Sequence, residues 1–176
     1  MKKKTCLFGL LILFFFIFTA DTFSLAGETG ELGAKTLRGI KNIYVQTELI
    51  DTEVEAGHIT AAQIRKETER QLEKARIKVL SEEKFDRLKQ PRNYPLGRLD
   101  IVVKLKDLKE DDESLYNITV RISQIVFLSR APVIKLFAPT WESIAIGSTR
   151  NLDVVLDVVR DGVQAFINAY LSVNTQ

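Results

Sequence analysis

The stretch Leu115–Leu128, LYNITVRISQIVFL, decides the fold. Tyr116, Ile118, Val120, Ile122, Val126 and Leu128 fall on one face of an extended chain. Asn117, Thr119, Arg121 and Ser123 fall on the other, which ends in Ile125 and Phe127. Alternation with a period of two marks a half-buried β-strand, because successive side chains of a strand point to opposite sides. Just upstream, Leu99, Ile101, Val103 and Leu105 alternate with Asp100, Val102, Lys104 and Lys106, and a charged turn from Lys109 to Glu113 joins the two strands. Downstream, Arg130-Ala131-Pro132 turns the chain into a third strand, Val133 to Ile146. Its alternation slips near Ala138-Pro139-Thr140, which predicts a bulge or a break.

Helical periodicity brackets this series. Leu152, Val155, Leu156, Val159, Val163, Phe166, Ile167 and Tyr170 recur at helical spacing and predict a long helix with one buried face. On the amino-terminal side, Ile43, Val45, Thr47 and Leu49 alternate within a first strand, Ile40 to Leu49. After an acidic loop, Thr60 with Gln63 forms a capping box, and Ile59 with Ile64 a hydrophobic staple. The helix they open buries Ala61, Ile64, Leu72 and Ala75. A short strand Ile77–Leu80 follows, then a short helix opened by Ser81 that turns Phe85 and Leu88 inward. Pro91 and Pro95 then force an extended loop. The expected order is β-α-β-(α)-β-β-β-α, an α+β fold with helices on one face of a largely antiparallel sheet. Residues 38–174 form a single domain in this reading, and residues 27–37 a flexible, Gly- and Glu-rich lead-in.

Ahead of that domain, Lys2, Lys3 and Lys4 precede an apolar run from Cys6 to Phe18, with small residues at Ala20 and Ala26. This is the layout of a secretory signal peptide, with cleavage expected after Ala26 or Ala20, and thirteen apolar residues are short for a membrane span. Cys6 opens the apolar run, where a lipid-bearing Cys would close it, so no stable membrane anchor is expected after cleavage. The leader also carries the basic excess and the Cys of the 176-residue chain. Cutting after Ala26 leaves 150 residues with 22 basic and 22 acidic groups and no Cys. A chain of that composition has no basic footprint for nucleic acid, and an exported, periplasmic or secreted bacterial domain is expected.

Catalytic chemistry finds little in the sequence. One His and one Cys exclude a His/Cys metal cage. His58 stands in an acidic loop without a nucleophile or an orienting group beside it in sequence, and reads as a solvated histidine. Gly30 and Gly33 lack the Lys-Ser/Thr ending of a phosphate loop, and the pairs Asp111-Asp112 and Glu82-Glu83 lack calcium-loop spacing. No cofactor or metal is expected. The Asn117-Ile118-Thr119 sequon is read as chance in the middle of a strand.

Binding is the more productive reading. If helices cover one sheet face, Asn117, Thr119 and Arg121 line the other, with Lys104 and Lys106 beside them on the preceding strand. Such a face is either wet surface or a docking surface, with Trp141 as its aromatic anchor or as a core residue. The runs Ala75–Phe85, Leu99–Leu105 and Tyr116–Ile122 follow an element layout that resembles bacterial envelope domains of the TolB amino-terminal type. Curli-secretion and penicillin-binding-protein-activator lipoproteins share that type. The ending Phe166–Tyr170, Phe-Ile-Asn-Ala-Tyr, is also similar to that of small exported bacterial proteins. The resemblance implies a non-catalytic protein-binding or adaptor role with an envelope partner. The alternative is a carrier of a small apolar ligand, or an enzyme, using a site between helix and sheet.

Overall fold

The computed structural model of the protein describes residues 30–52, 59–88, 95–108 and 113–174. The leader, the acidic loop with His58, Pro91 and the Asp111-Asp112 pair lie outside the described residues. Along the chain the elements are α1 (Gly30–Thr36), β1 (Asn42–Thr52), α2 (Ala61–Lys74), α3 (Glu82–Leu88), β2 (Leu96–Leu108), β3 (Glu113–Leu128), β4 (Ala131–Thr149) and α4 (Asp153–Val173). The four strands form one sheet in the order β1-β2-β3-β4. The fold is α+β, as the patterns predict.

Two of the three strand pairings are antiparallel. The third, β1 with β2, is parallel from Asn42↔Leu96 to Thr52↔Lys106. A parallel neighbour requires a crossover rather than a hairpin, and α2 and α3 lie in that connection. The expected strand Ile77–Leu80 shrinks to one parallel bridge between Val79 and Ile43. Ile43 is its strand partner: its N–H donates to the Lys78 carbonyl at 2.9 Å, and its carbonyl accepts from Leu80 at 2.8 Å. One residue further, Ser81 already begins the approach to α3, so the segment is too short for a second rung.

Helix α2 starts and stops as its sequence dictates. Thr60 Oγ1 accepts from the Gln63 N–H at 3.1 Å, and Gln63 Oε1 accepts from the Thr60 N–H at 2.9 Å, a complete capping box. At the other end Arg76 takes φ 60°, and the N–H groups of Arg76 and Ile77 reach the carbonyls of Glu73 and Leu72, both at 2.9 Å. That is a Schellman ending, closed by the buried pair Ile77 and Leu72.

The main core lies between the sheet and the helices α2 and α4. Ile43, Val45, Leu99, Ile101, Val103, Ile118, Val120 and Ile122 project from the sheet and are essentially sealed from solvent. Ile64 and Leu72 of α2, with Val155, Val159, Val163 and Phe166 of α4, close over them. Helix α4 comes so close to β3 at Gly162 that a Cβ there would meet Val120 Cγ2 at 2.8 Å.

Two expectations about the helices change. The expected lead-in holds a helix from Gly30 to Thr36, although seven residues form no stable helix alone. Tertiary contacts hold it. Leu37 is fully buried, Thr36 Oγ1 donates to the Thr140 carbonyl at 3.1 Å, and Gln124 donates to the Thr36 carbonyl at 3.1 Å. From the far end of the chain, Asn174 donates to the Leu37 carbonyl at 2.9 Å and accepts from the Gly39 N–H at 2.7 Å. The helices also do not all share one face. Phe85 of α3 stacks on Tyr44 with ring centroids 4.7 Å apart, and the two form a separate small core with Leu80 and Leu96. Tyr44 alternates with the core residues Ile43 and Val45, so α3 covers one end of the opposite sheet face.

The bulge expected near Ala138-Pro139-Thr140 is present. Ile122 pairs with Trp141 while Ser123 pairs with Pro139, which leaves Thr140 as the extra residue. Its side chain is used: Thr140 Oγ1 accepts from Gln124 Nε2 at 2.6 Å.

Candidate binding face

Past α3, the face turned away from α2 and α4 carries the polar residues that the alternation placed there. Register sets them side by side: Lys104 opposite Asn117, Val102 opposite Thr119, Asp100 opposite Arg121 and Arg98 opposite Ser123. Of the predicted binding residues, Arg121, Thr119, Asn117 and Lys104 therefore do share one surface.

Trp141 does not. It pairs with Ile122 on the helix-covered side, is buried, and meets the Phe166 ring edge-on at 5.5 Å. The bulge at Thr140 and the alternation of β4 together turn it inward, so its role is core packing.

A buried carboxylate that sequence reasoning did not single out organises the middle of the face. Asp100 is 4% exposed. Arg98 Nε lies 2.6 Å from its Oδ1, Arg121 Nε lies 3.6 Å from its Oδ2, and the Ser123 hydroxyl donates to Oδ2 at 3.0 Å. Buried charge is tolerated only when it is paired and hydrogen-bonded: Arg98 Nη2 donates to Oδ2 at 3.2 Å and Ser123 adds its hydroxyl, while Arg121 contributes charge without a hydrogen bond. Arg121 thus adds its charge to the cluster from a partly exposed position. The signal was present as Asp100 in an apolar run, but it needs the strand register to name its partners.

Beyond this cluster the face becomes a groove of about 320 Å³ lined by Ile50, Lys104, Lys106, Leu115, Asn117 and Ile146. Ile146 is 57% exposed, Leu115 40% and Ile50 36%. Three aliphatic side chains in water around two ammonium groups form an amphipathic surface suited to an occupant with apolar and acidic groups. A second space, about 140 Å³, lies between α4 and the sheet beside Gly162, lined by Ile118, Val120, Ala145, Val158 and Asp161. It falls below the roughly 300–1,000 Å³ usual for small-molecule sites. Among the described residues, no three His, Cys, Asp or Glu side chains converge as metal ligands, and no helix is long and apolar enough to cross a membrane.

No family model and no curated protein matches the chain. Among solved structures it is similar to PelC dodecamers from Paraburkholderia phytofirmans in two crystal forms. The TM-score is 0.42 in each, at 12% and 14% sequence identity, over 76% and 79% of this chain and 89% and 91% of those chains. A likeness of that size carries no conclusion about this chain's activity or assembly.

Proposed function

We propose that the protein is a non-catalytic binding domain of the bacterial cell envelope, exported by its leader, that docks a protein partner on the open sheet face. The observation that carries the reading is the groove in which exposed Ile50, Leu115 and Ile146 frame Lys104 and Lys106. The partner's chemistry follows from the groove: a segment presenting aliphatic side chains beside carboxylates. The leader layout and the resemblance to envelope domains of the TolB amino-terminal type support the cellular setting. The ligand-carrier or enzyme alternative would use the space beside Gly162, and its small volume speaks against a sizeable ligand there.

Arg121 is the wrong residue for the test, because Arg121→Glu sets a second carboxylate against Asp100 and perturbs the fold. Lys104→Glu combined with Ile146→Asp alters two exposed positions instead. The double variant is expected to unfold within a few degrees of the wild type, yet to lose the partner that the exported wild-type protein captures from envelope extracts. An identical capture profile would sink the proposal. The mass of the exported chain would show cleavage at Ala20 or Ala26 and the presence or absence of lipid.

A further inference from the structure

Strand β3 outruns its neighbour. Its pairing with β2 ends at Arg98↔Ser123, whereas its pairing with β4 continues to Leu128↔Ala131. Gln124–Leu128 and Ala131–Ala138 therefore form a two-stranded ribbon of about 17 Å. The ribbon is apolar on both faces. Phe127 is 52% exposed, Val133 89%, and Ile134 and Leu136 each 45%. From Gln124 to Thr140 the chain holds Arg130 and Lys135 and not one Asp or Glu. Arg130 sits in the turn at the tip, and Lys135 Nζ lies 5.5 Å from the centre of the Phe127 ring.

We propose that this ribbon is a reversible membrane contact that dips its tip into the headgroup region of an anionic lipid bilayer. Apolar side chains exposed on both faces and at the tip fit a medium that surrounds the ribbon, whereas a protein docked on one face leaves the other wet. A second copy paired edge to edge would stack two cationic ribbons with no acidic group of the ribbon between them, and Pro132 removes one ladder donor from β4. An anionic surface supplies the missing negative charge, and the long basic side chains reach the phosphates while the apolar ones enter the acyl boundary. The depth is limited to the outer layer, because the free backbone edge of β4 cannot enter hydrocarbon unpaired. At the ribbon's root Phe85 of α3 meets Phe137 edge-on at 6.3 Å, and the exposed charged side chains of α3, among them the Glu83–Arg87 pair, belong in water.

The test uses the full chain carrying Cys6→Ser and Val133→Cys, with a polarity-sensitive fluorophore on position 133. Vesicles of phosphatidylcholine with one-third phosphatidylglycerol are expected to shift its emission to the blue and to allow quenching by spin-labelled lipid. Pure phosphatidylcholine should give a response about 30-fold weaker in lipid concentration, the contribution of two cations at an anionic surface. The same label at Glu73→Cys, on the solvent side of α2, should respond to neither and so controls for tethering through an uncleaved leader. Adding Phe127→Asp and Ile134→Asp should abolish the response at 133 while leaving the thermal midpoint in place. No shift at 133 on anionic vesicles would overturn the proposal, as would an equal shift on neutral ones. A blue shift that grows with protein concentration in the absence of lipid would assign the ribbon to a second copy instead.

Discussion

Strand β3 passes through two environments, and its two halves make an instructive pair. From Tyr116 to Ile122 it runs between β2 and β4 beneath α4, and its inward side chains are sealed: Ile122 is fully buried. From Gln124 to Leu128 the alternation continues with side chains at least as apolar, but β2 has ended: the inward Val126 and Leu128 are only half-buried, and Phe127 on the outer face stands half in water. The same local pattern yields core in one half and exposed surface in the other. Burial is a property of what lies across from a residue, and hydrophobicity in the sequence is only an invitation to it.

The sharpest way to break the comparison is to charge the cover of the body. Val159 of α4 is 2% exposed beneath the helix, so Val159→Asp buries an unpartnered carboxylate. The expected loss exceeds about 4 kcal/mol, enough to unfold a domain of ordinary stability. A soluble variant with a native melting curve would show that α4 does not seal the body.

A contrasting pair on β3, one residue from each face, comes next. Ile122→Ala should cost about 2–5 kcal/mol through lost burial and an unfilled cavity. Phe127→Ala removes more side chain but should cost less than about 1 kcal/mol, as for exposed positions generally. Denaturant titration of both variants reads the contrast directly. Equal losses would mean that the ribbon is covered in solution.

The smallest effect belongs to charges on the outside of the cover. Glu67 of α2 meets Arg70 at 2.5 Å and Arg160 of α4 at 3.4 Å. The hydrogen bond from Arg70, and then the nearby Arg160 charge, hold the Glu67 carboxyl below the usual carboxylate range. A depressed folded-state pKa stabilises the fold above the unfolded value, near pH 4.5, and that contribution fades as pH falls through the folded value. Glu67→Gln should therefore cost less than about 1 kcal/mol at neutral pH, and nothing once the wild-type carboxyl is protonated. A cost that persists in acid would identify packing, not charge, as the role of Glu67.

Much of the body was legible because its signals are local. Thr60 and Gln63 announce the start of α2 within four residues, the eight apolar positions from Leu152 to Tyr170 announce α4, and Pro139 announces the bulge. The elements misread are those held from a distance. Helix α1 depends on Thr140, Gln124 and Asn174, the last more than 130 residues away along the chain. The expected strand at Ile77–Leu80 became one bridge, to Ile43, a residue more than thirty positions away along the chain. The candidate face divides in the same way: period two placed Lys104, Asn117, Thr119 and Arg121 together, but not Trp141, and it was silent on Asp100.

By itself, then, the sequence determined which residues are strand or helix and which side of each strand seeks water, because periodicity and capping are read within a few residues. The tertiary structure decided what covers each side. It set β1 parallel to β2, tied Arg121 to Asp100 across a register, turned Trp141 into the core, and left Phe127 and Val133 exposed. Those outcomes depend on contacts between distant segments, whose closure is settled by the whole chain's packing and by no single stretch of it.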